Sequence, residues 1–152
     1  MNQDSLNIDE IMGYLEITPP FLMIDRVDKI IPGKSCYAIK KLKPDDWFFN
    51  CHLEKEKLMP GALQIEAMLQ TLVLVIYTLD GHKGKLSFVS DITTKLLSKV
   101  SPDSQLDIYA NLLSYKRGIA KGIVEAKVSN LDVCKGEFTL ISPHYMPIPK
   151  IN

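Results

Sequence analysis

Between Pro60 and Asp80 the chain places apolar residues on every side of a helical wheel, among them Leu63, Ile65, Met68, Leu72, Val75 and Ile76. Pro60-Gly61 opens this stretch, and from Ala62 to Leu79 it contains no further Gly or Pro. Pro is tolerated in a first turn, where its missing N–H has no intrahelical partner to lose. A helix that is apolar all round is wrapped by the rest of its domain. At about 1.5 Å per residue this one runs roughly 27 Å, enough to cross a small domain. Gln64, Glu66 and Gln70 interrupt the apolar run well short of the roughly 18 residues that a membrane span needs. The pattern predicts a buried central helix carrying one carboxylate.

Elsewhere the pattern is mostly of period two. A short helix is expected over Asp9–Leu15, with Asn7 or Asp9 as its cap, ended by Thr18-Pro19-Pro20. Phe21–Ile31 and Ser35–Leu42 flank Pro32-Gly33 and predict a hairpin. After the long helix, Leu86–Ile92 and Thr94–Val100 have strand character. Leu106, Ile108, Ala110 and Leu112 alternate with Asp107, Tyr109 and Asn111, as in a half-buried strand. Arg117-Gly118 turns the chain into a strand carrying Ala120, Val124, Ala126 and Val128. Asn130-Leu131-Asp132 is expected to turn it again, into a last strand with Cys134, Phe138 and Leu140. Consecutive antiparallel strands need a cover for their apolar face, and the only large apolar element is the helix. The fold class expected is therefore α+β, an antiparallel β-sheet wrapped around one long central helix, the hotdog fold. It is expected to occupy residues 1–152 as a single domain.

Composition changes this picture little. Hydrophobic residues make up 46% and charged residues 24%, and 18 basic side chains balance 18 acidic ones. Net charge thus offers no reason for nucleic-acid binding. Cys36, Cys51 and Cys134 lack metal-ligand spacing and suggest a reducing compartment. The polar start MNQDSLNIDE lacks a signal peptide's basic end and apolar core, so the expected location is cytoplasmic.

Chemistry is concentrated where a polar loop meets the helix. His52 lies nine residues before Gly61 and fourteen before Glu66. A loop histidine is more often a surface residue than a catalytic one. Glu66, set among Ile65, Ala67 and Met68, is expected in a poorly solvated place, and burial raises a carboxyl pKa. Gln70 is four residues on, on the same face, so a purely structural Glu66–Gln70 pair is the plain alternative.

The segment WFFNCHLEKEKLMPGALQIEAMLQ resembles the active-site region of the hotdog-fold 3-hydroxyacyl-acyl carrier protein dehydratases. That pattern has two aromatics, one residue, Gly-His-Phe-Pro, a short loop, Met-Pro-Gly, and a helix with Glu-Ala-x-x-Gln. Phe48-Phe49, His52, Met59-Pro60-Gly61, Glu66-Ala67 and Gln70 match it without a gap. Upstream, Pro20–Val27 is similar to the family's Pro-Phe-Leu-Leu-Val-Asp-Arg-Val, and downstream Val100–Leu106 is similar to Val-x-Pro-Gly-Asp-x-Leu. Cys51 stands in place of the family glycine, Leu53-Glu54 in place of Phe-Pro, and Leu97-Ser98 in place of arginines.

The resemblance implies dehydration of a 3-hydroxyacyl thioester to the trans-2-enoyl thioester, in fatty-acid or related biosynthesis, without metal or cofactor. His52 and Glu66 would be catalytic, and Gly61, Gln70, Phe49 and Met59 would bind substrate. The partner would be a thioester on acyl carrier protein or coenzyme A, docked with help from Lys55, Lys57, Lys95 and Lys99. The working unit would be a homodimer or a trimer of dimers, with His52 and Glu66 of one site coming from different subunits. A hotdog thioesterase using Glu66 to activate water, and a non-catalytic acyl-chain binder, are the alternatives.

Overall fold

A computed structural model describes residues 4–149. Six strands form one antiparallel sheet in the order β1-β2-β4-β5-β6-β3, and one long helix lies against it. The strands are β1 (Arg26–Ile31), β2 (Ser35–Lys41), β3 (Phe88–Leu96), β4 (Gln105–Lys116), β5 (Ile119–Val128) and β6 (Leu131–Ile141). The helices are α1 (Ile8–Leu15) and α2 (Gly61–Tyr77). This is the expected hotdog architecture, with α2 packed on β2, β4, β5 and β6.

The sheet can wrap the helix closely because small side chains alternate with larger ones on its inner face. Cys36 faces Ala110 across β2 and β4, Ala110 faces Val124, Ile108 faces Ala126, and Leu112 faces Gly122. A Cβ added to Gly122 would stand 2.5 Å from Leu72 Cδ1, so helix and sheet touch at this glycine. The helix answers with Met68, Leu72, Leu74 and Val75, all fully buried. Among the described residues no helix is long and apolar enough to cross a membrane.

Several boundaries differ from expectation. Asn7 caps α1, its side chain accepting from the Glu10 N–H while Glu10 reaches back to the Asn7 N–H, which closes a capping box. Phe21–Asp25 is not strand. Phe21–Met23 is instead tied to Thr18 O and, through Gln70, to α2, and Asp25 reaches β2, its N–H donating to Ile39 O. Thr93 and Thr94 lie inside the single strand β3, bulged between Val89 and Asp91, rather than near a break. The turn before β6 is Ser129-Asn130, where both residues adopt left-handed φ, so Leu131 already belongs to the strand. Helix α2 stops at Tyr77, with Thr78 as its C-cap, short of Asp80-Gly81.

Candidate active site

The loop before α2 is held from both sides. A short 3-10 turn, Trp47–Asn50, buries Phe48 and Phe49, and Trp47 Nε1 donates to Pro20 O at 3.0 Å. At the other end the Met59 N–H donates to Val100 O at 2.8 Å. His52 lies between these anchors, half-buried, with Nδ1 2.9 Å from Leu58 O. A carbonyl oxygen only accepts, so in the neutral imidazole Nδ1 carries the proton and Nε2 keeps its lone pair. Leu53, next in the chain, takes a left-handed φ of 54° and turns outward. His52 lines a shallow cleft with Phe49, Cys51, Leu53 and Lys57.

Helix α2 begins with Pro60 as N-cap and no capping side chain. The Leu63 and Gln64 N–H groups donate to Pro60 O, which leaves those of Gly61 and Ala62 open at the positive end of the helix. A Cβ at Gly61 would collide with Leu96 Cδ1, so only glycine fits beside β3 without displacing that side chain. Met59, one residue before the N-cap, is buried.

Glu66 is half-buried rather than enclosed, and Gln70 Nε2 donates to its Oε1 at 3.0 Å. The pairing of these residues is as expected, but Gln70 does more. Its Oε1 accepts from the Met23 N–H at 2.8 Å, and its Nε2 also donates to Phe21 O at 3.1 Å. One amide thus holds both the carboxylate and the Phe21–Met23 segment. Glu66 opens on an apolar groove between α2 and β3, and His52 on the separate cleft described above. The single chain does not bring the two into one cavity.

The other candidates divide. Lys57 lines the His52 cleft, and Lys99 pairs with Glu56 of the same loop at 2.8 Å. Lys95 lies with Glu125, Lys135 and Glu137 in a depression lined by β3, β5 and β6, away from that loop's cleft. The thiols of Cys36 and Cys134 are buried, and burial pushes them up to about 12 and about 11, which leaves both inert as nucleophiles. No cluster of metal-ligating side chains occurs among the described residues. Three contributors were not foreseen: Leu58 O, Leu96 and the Phe21–Met23 backbone. A backbone carbonyl leaves no mark in residue type, and the contact of Leu96 with Gly61 joins positions 35 apart in sequence.

A histidine loop leading into an uncapped central helix that bears a carboxylate, all inside one wrapped antiparallel sheet, places the molecule among the hotdog-fold proteins. More narrowly, the chain belongs to the FabA-like family, whose domain model matches residues 17–137. It is 32% identical over 139 residues to the 3-hydroxyacyl-acyl-carrier-protein dehydratase FabZ of Syntrophomonas wolfei subsp. wolfei, covering 91% of this chain and 96% of that one. The FabZ of Roseiflexus castenholzii is 34% identical over 133 residues, 87% of this chain and 93% of its own. Among solved structures, the dehydratase heterocomplex ApeI:P from Xenorhabdus doucetiae superposes with a TM-score of 0.74 at 16% identity, covering 88% of this chain and 90% of that one. A hypothetical thioesterase protein with coenzyme A from Streptococcus pneumoniae gives 0.64 at 15% identity, covering 80% and 87%. At those identities the two structures speak for the fold.

Proposed function

We propose that this protein dehydrates 3-hydroxyacyl thioesters on acyl carrier protein to trans-2-enoyl thioesters in fatty-acid biosynthesis. The curated relatives are dehydratases along nearly their whole length, which favours this over a thioesterase or a non-catalytic binder. The observation that carries the mechanism is the His52–Leu58 contact, because it leaves His52 Nε2 as the free base. Nε2 takes the C2 proton, the C2–H electron pair becomes the C2=C3 bond, and the C3–O bond breaks. The leaving hydroxide takes a proton from the Glu66 carboxyl, or from a water that Glu66 positions, and departs as water. Charge that gathers on the thioester oxygen during proton removal meets the Gly61 N–H at the helix start. Gln70 orients Glu66, while Phe49 and Met59 back the His52 loop. Neither metal nor cofactor is required.

The separate clefts of His52 and Glu66 favour a site completed by a second copy of the chain. Strand β3 supports this reading, because it is an edge strand whose Phe88, Ile92 and Leu96 are 59%, 45% and 54% exposed. A long apolar edge calls for cover. The working unit is then a homodimer, with a trimer of dimers as the larger assembly. Carrier protein docks by the His52 loop, where Lys55, Lys57 and Lys99 are exposed; coenzyme A thioesters are accepted without that docking. Three unpaired cysteines fit a cytoplasmic location, which cell fractionation checks.

The test uses two inactive variants. His52→Ala and Glu66→Gln should each lower the enoyl-thioester absorbance rate by two or more orders of magnitude, the usual contribution of general acid–base catalysis. Mixed under subunit exchange they should regain activity, since one of the two sites in a mixed dimer is intact. No recovery despite verified exchange would show that each subunit holds its own site. Thiol release in place of enoyl absorbance would identify a thioesterase instead.

A further inference from the structure

Four consecutive residues, Leu58 to Gly61, join the histidine loop to the helix start. Leu58 O accepts from His52 Nδ1 at 2.9 Å, and the Met59 N–H donates to Val100 O at 2.8 Å. Pro60 follows, its φ fixed by the ring. Pro60 O accepts from the Leu63 and Gln64 N–H groups at 3.0 and 3.2 Å. The Pro60–Gly61 peptide is trans and planar, so the Gly61 N–H points opposite to that held carbonyl. Gln64 has a second grip on the same strap. Its Nε2 donates to Met59 O at a long 3.4 Å, so one residue holds two successive carbonyls. The Gln64 side chain is 4% exposed, and its Oε1 is buried without a partner. A buried amide oxygen left unsatisfied costs stability. Methionine, unbranched and of similar length, would fill the space without that cost. What the amide alone adds is the hold on Met59 O.

We propose that Gln64 is a positioning residue, which aims the Gly61 N–H at the substrate by gripping the Met59 and Pro60 carbonyls from one place. The inference rests on the dehydratase reading for what that N–H receives, the thioester oxygen as it gains charge. With the φ of Pro60 locked, the peptide planes on its two sides swing only about its ψ bond and the bonds at Met59. The side-chain grip of Gln64 removes the upstream freedom, and its backbone grip removes the downstream one. Leu58 O ties the same strap to His52. Proton removal at C2 and charge on the thioester oxygen are therefore met by groups held in fixed relation. A donor aimed at developing charge works through its alignment. The 3.4 Å contact is the longest hold in the strap, and it tightens when substrate draws the Gly61 N–H into line.

Two measurements test this. In the first, a 3-hydroxyacyl N-acetylcysteamine thioester is turned over by the parent, Gln64→Met and Gln64→Asn proteins, and each protein is unfolded in urea. Asn keeps the amide but is one methylene too short to reach Met59 O. Both variants should lose roughly tenfold or more in kcat, a part of what removing such a donor outright costs. KM should stay within about twofold, because the interaction is made in the transition state. The urea midpoint of Gln64→Met should not fall, since the stranded Oε1 leaves with the amide. In the second, the Gly61 amide resonance is followed by NMR as a saturated acyl N-acetylcysteamine thioester, which cannot be dehydrated, is added. The resonance should shift in the parent and shift much less in Gln64→Met. A kcat within about threefold of the parent in both variants would overturn the assignment and leave Gln64 a packing residue. Equal Gly61 shifts in parent and Gln64→Met would overturn it as well. If the parent yields no enoyl product yet the Gly61 shift depends on Gln64, the dehydratase reading fails and the positioning role stands.

Discussion

Gln70 shows how much one side chain decides. It is 2% exposed, and its two amide atoms serve the Met23 N–H, the Phe21 carbonyl and the Glu66 carboxylate. Replacing it by Leu keeps the bulk and leaves these groups without a partner. Each buried polar group so stranded costs roughly 1–3 kcal/mol. Gln70→Leu should therefore lower unfolding free energy by about that amount in urea titration, and should reduce kcat as Glu66 loses its orientation. Loss of stability with kcat unchanged would confine Gln70 to holding the Phe21–Met23 segment. The contact with Glu66 was foreseeable from a spacing of four on one helix face. The contact with Met23 was not, because it spans 47 residues and one partner is backbone.

At the scale of elements, the period-two pattern located β2, β4, β5 and β6 because one face of each is buried and the other solvated. It failed where that condition failed. Phe21–Ile24 is apolar, but the hydrogen bonds of Phe21, Leu22 and Met23 go to a turn and to a helix side chain. The chain at Thr93 and Thr94 continues without a break because β3 pairs with β6 along its length. The junction of α2 with the sheet offers a direct test at Gly122. A methyl there would press on Leu72 Cδ1 at 2.5 Å and Asn111 O at 3.1 Å. Gly122→Ala should destabilise the protein by roughly 1–3 kcal/mol, as overpacking does. An unchanged denaturation midpoint would show that α2 can slide away from β5 without loss.

For the whole molecule, the edge of β3 and the loop after His52 are the two surfaces that look outward for partners. Ile92→Asp together with Leu96→Glu places charge on an edge that a second copy would cover. The variant should sediment as a monomer and lose activity although His52 and Glu66 are untouched. A fully active monomer would refute the shared site. Charge reversal at Lys55, Lys57 and Lys99 should raise KM for carrier-bound substrate and spare a small thioester, and the difference should shrink with salt. Equal loss with both substrates would mean that these lysines shape the loop; the Lys99–Glu56 pair gives them a means to do so.

The amino-acid sequence by itself determined the fold class, since one all-round apolar helix and several half-buried strands have few ways to cover each other. It also determined which residue types stand near the helix start, His52, Gly61, Glu66 and Gln70, because their spacing is local. The tertiary structure alone decided which nitrogen of His52 is free, through a carbonyl six residues away. It alone placed His52 and Glu66 in separate clefts and gave Gln70 its second task. Those outcomes depend on backbone atoms and on contacts between distant segments, and neither leaves a periodic trace in the order of residues.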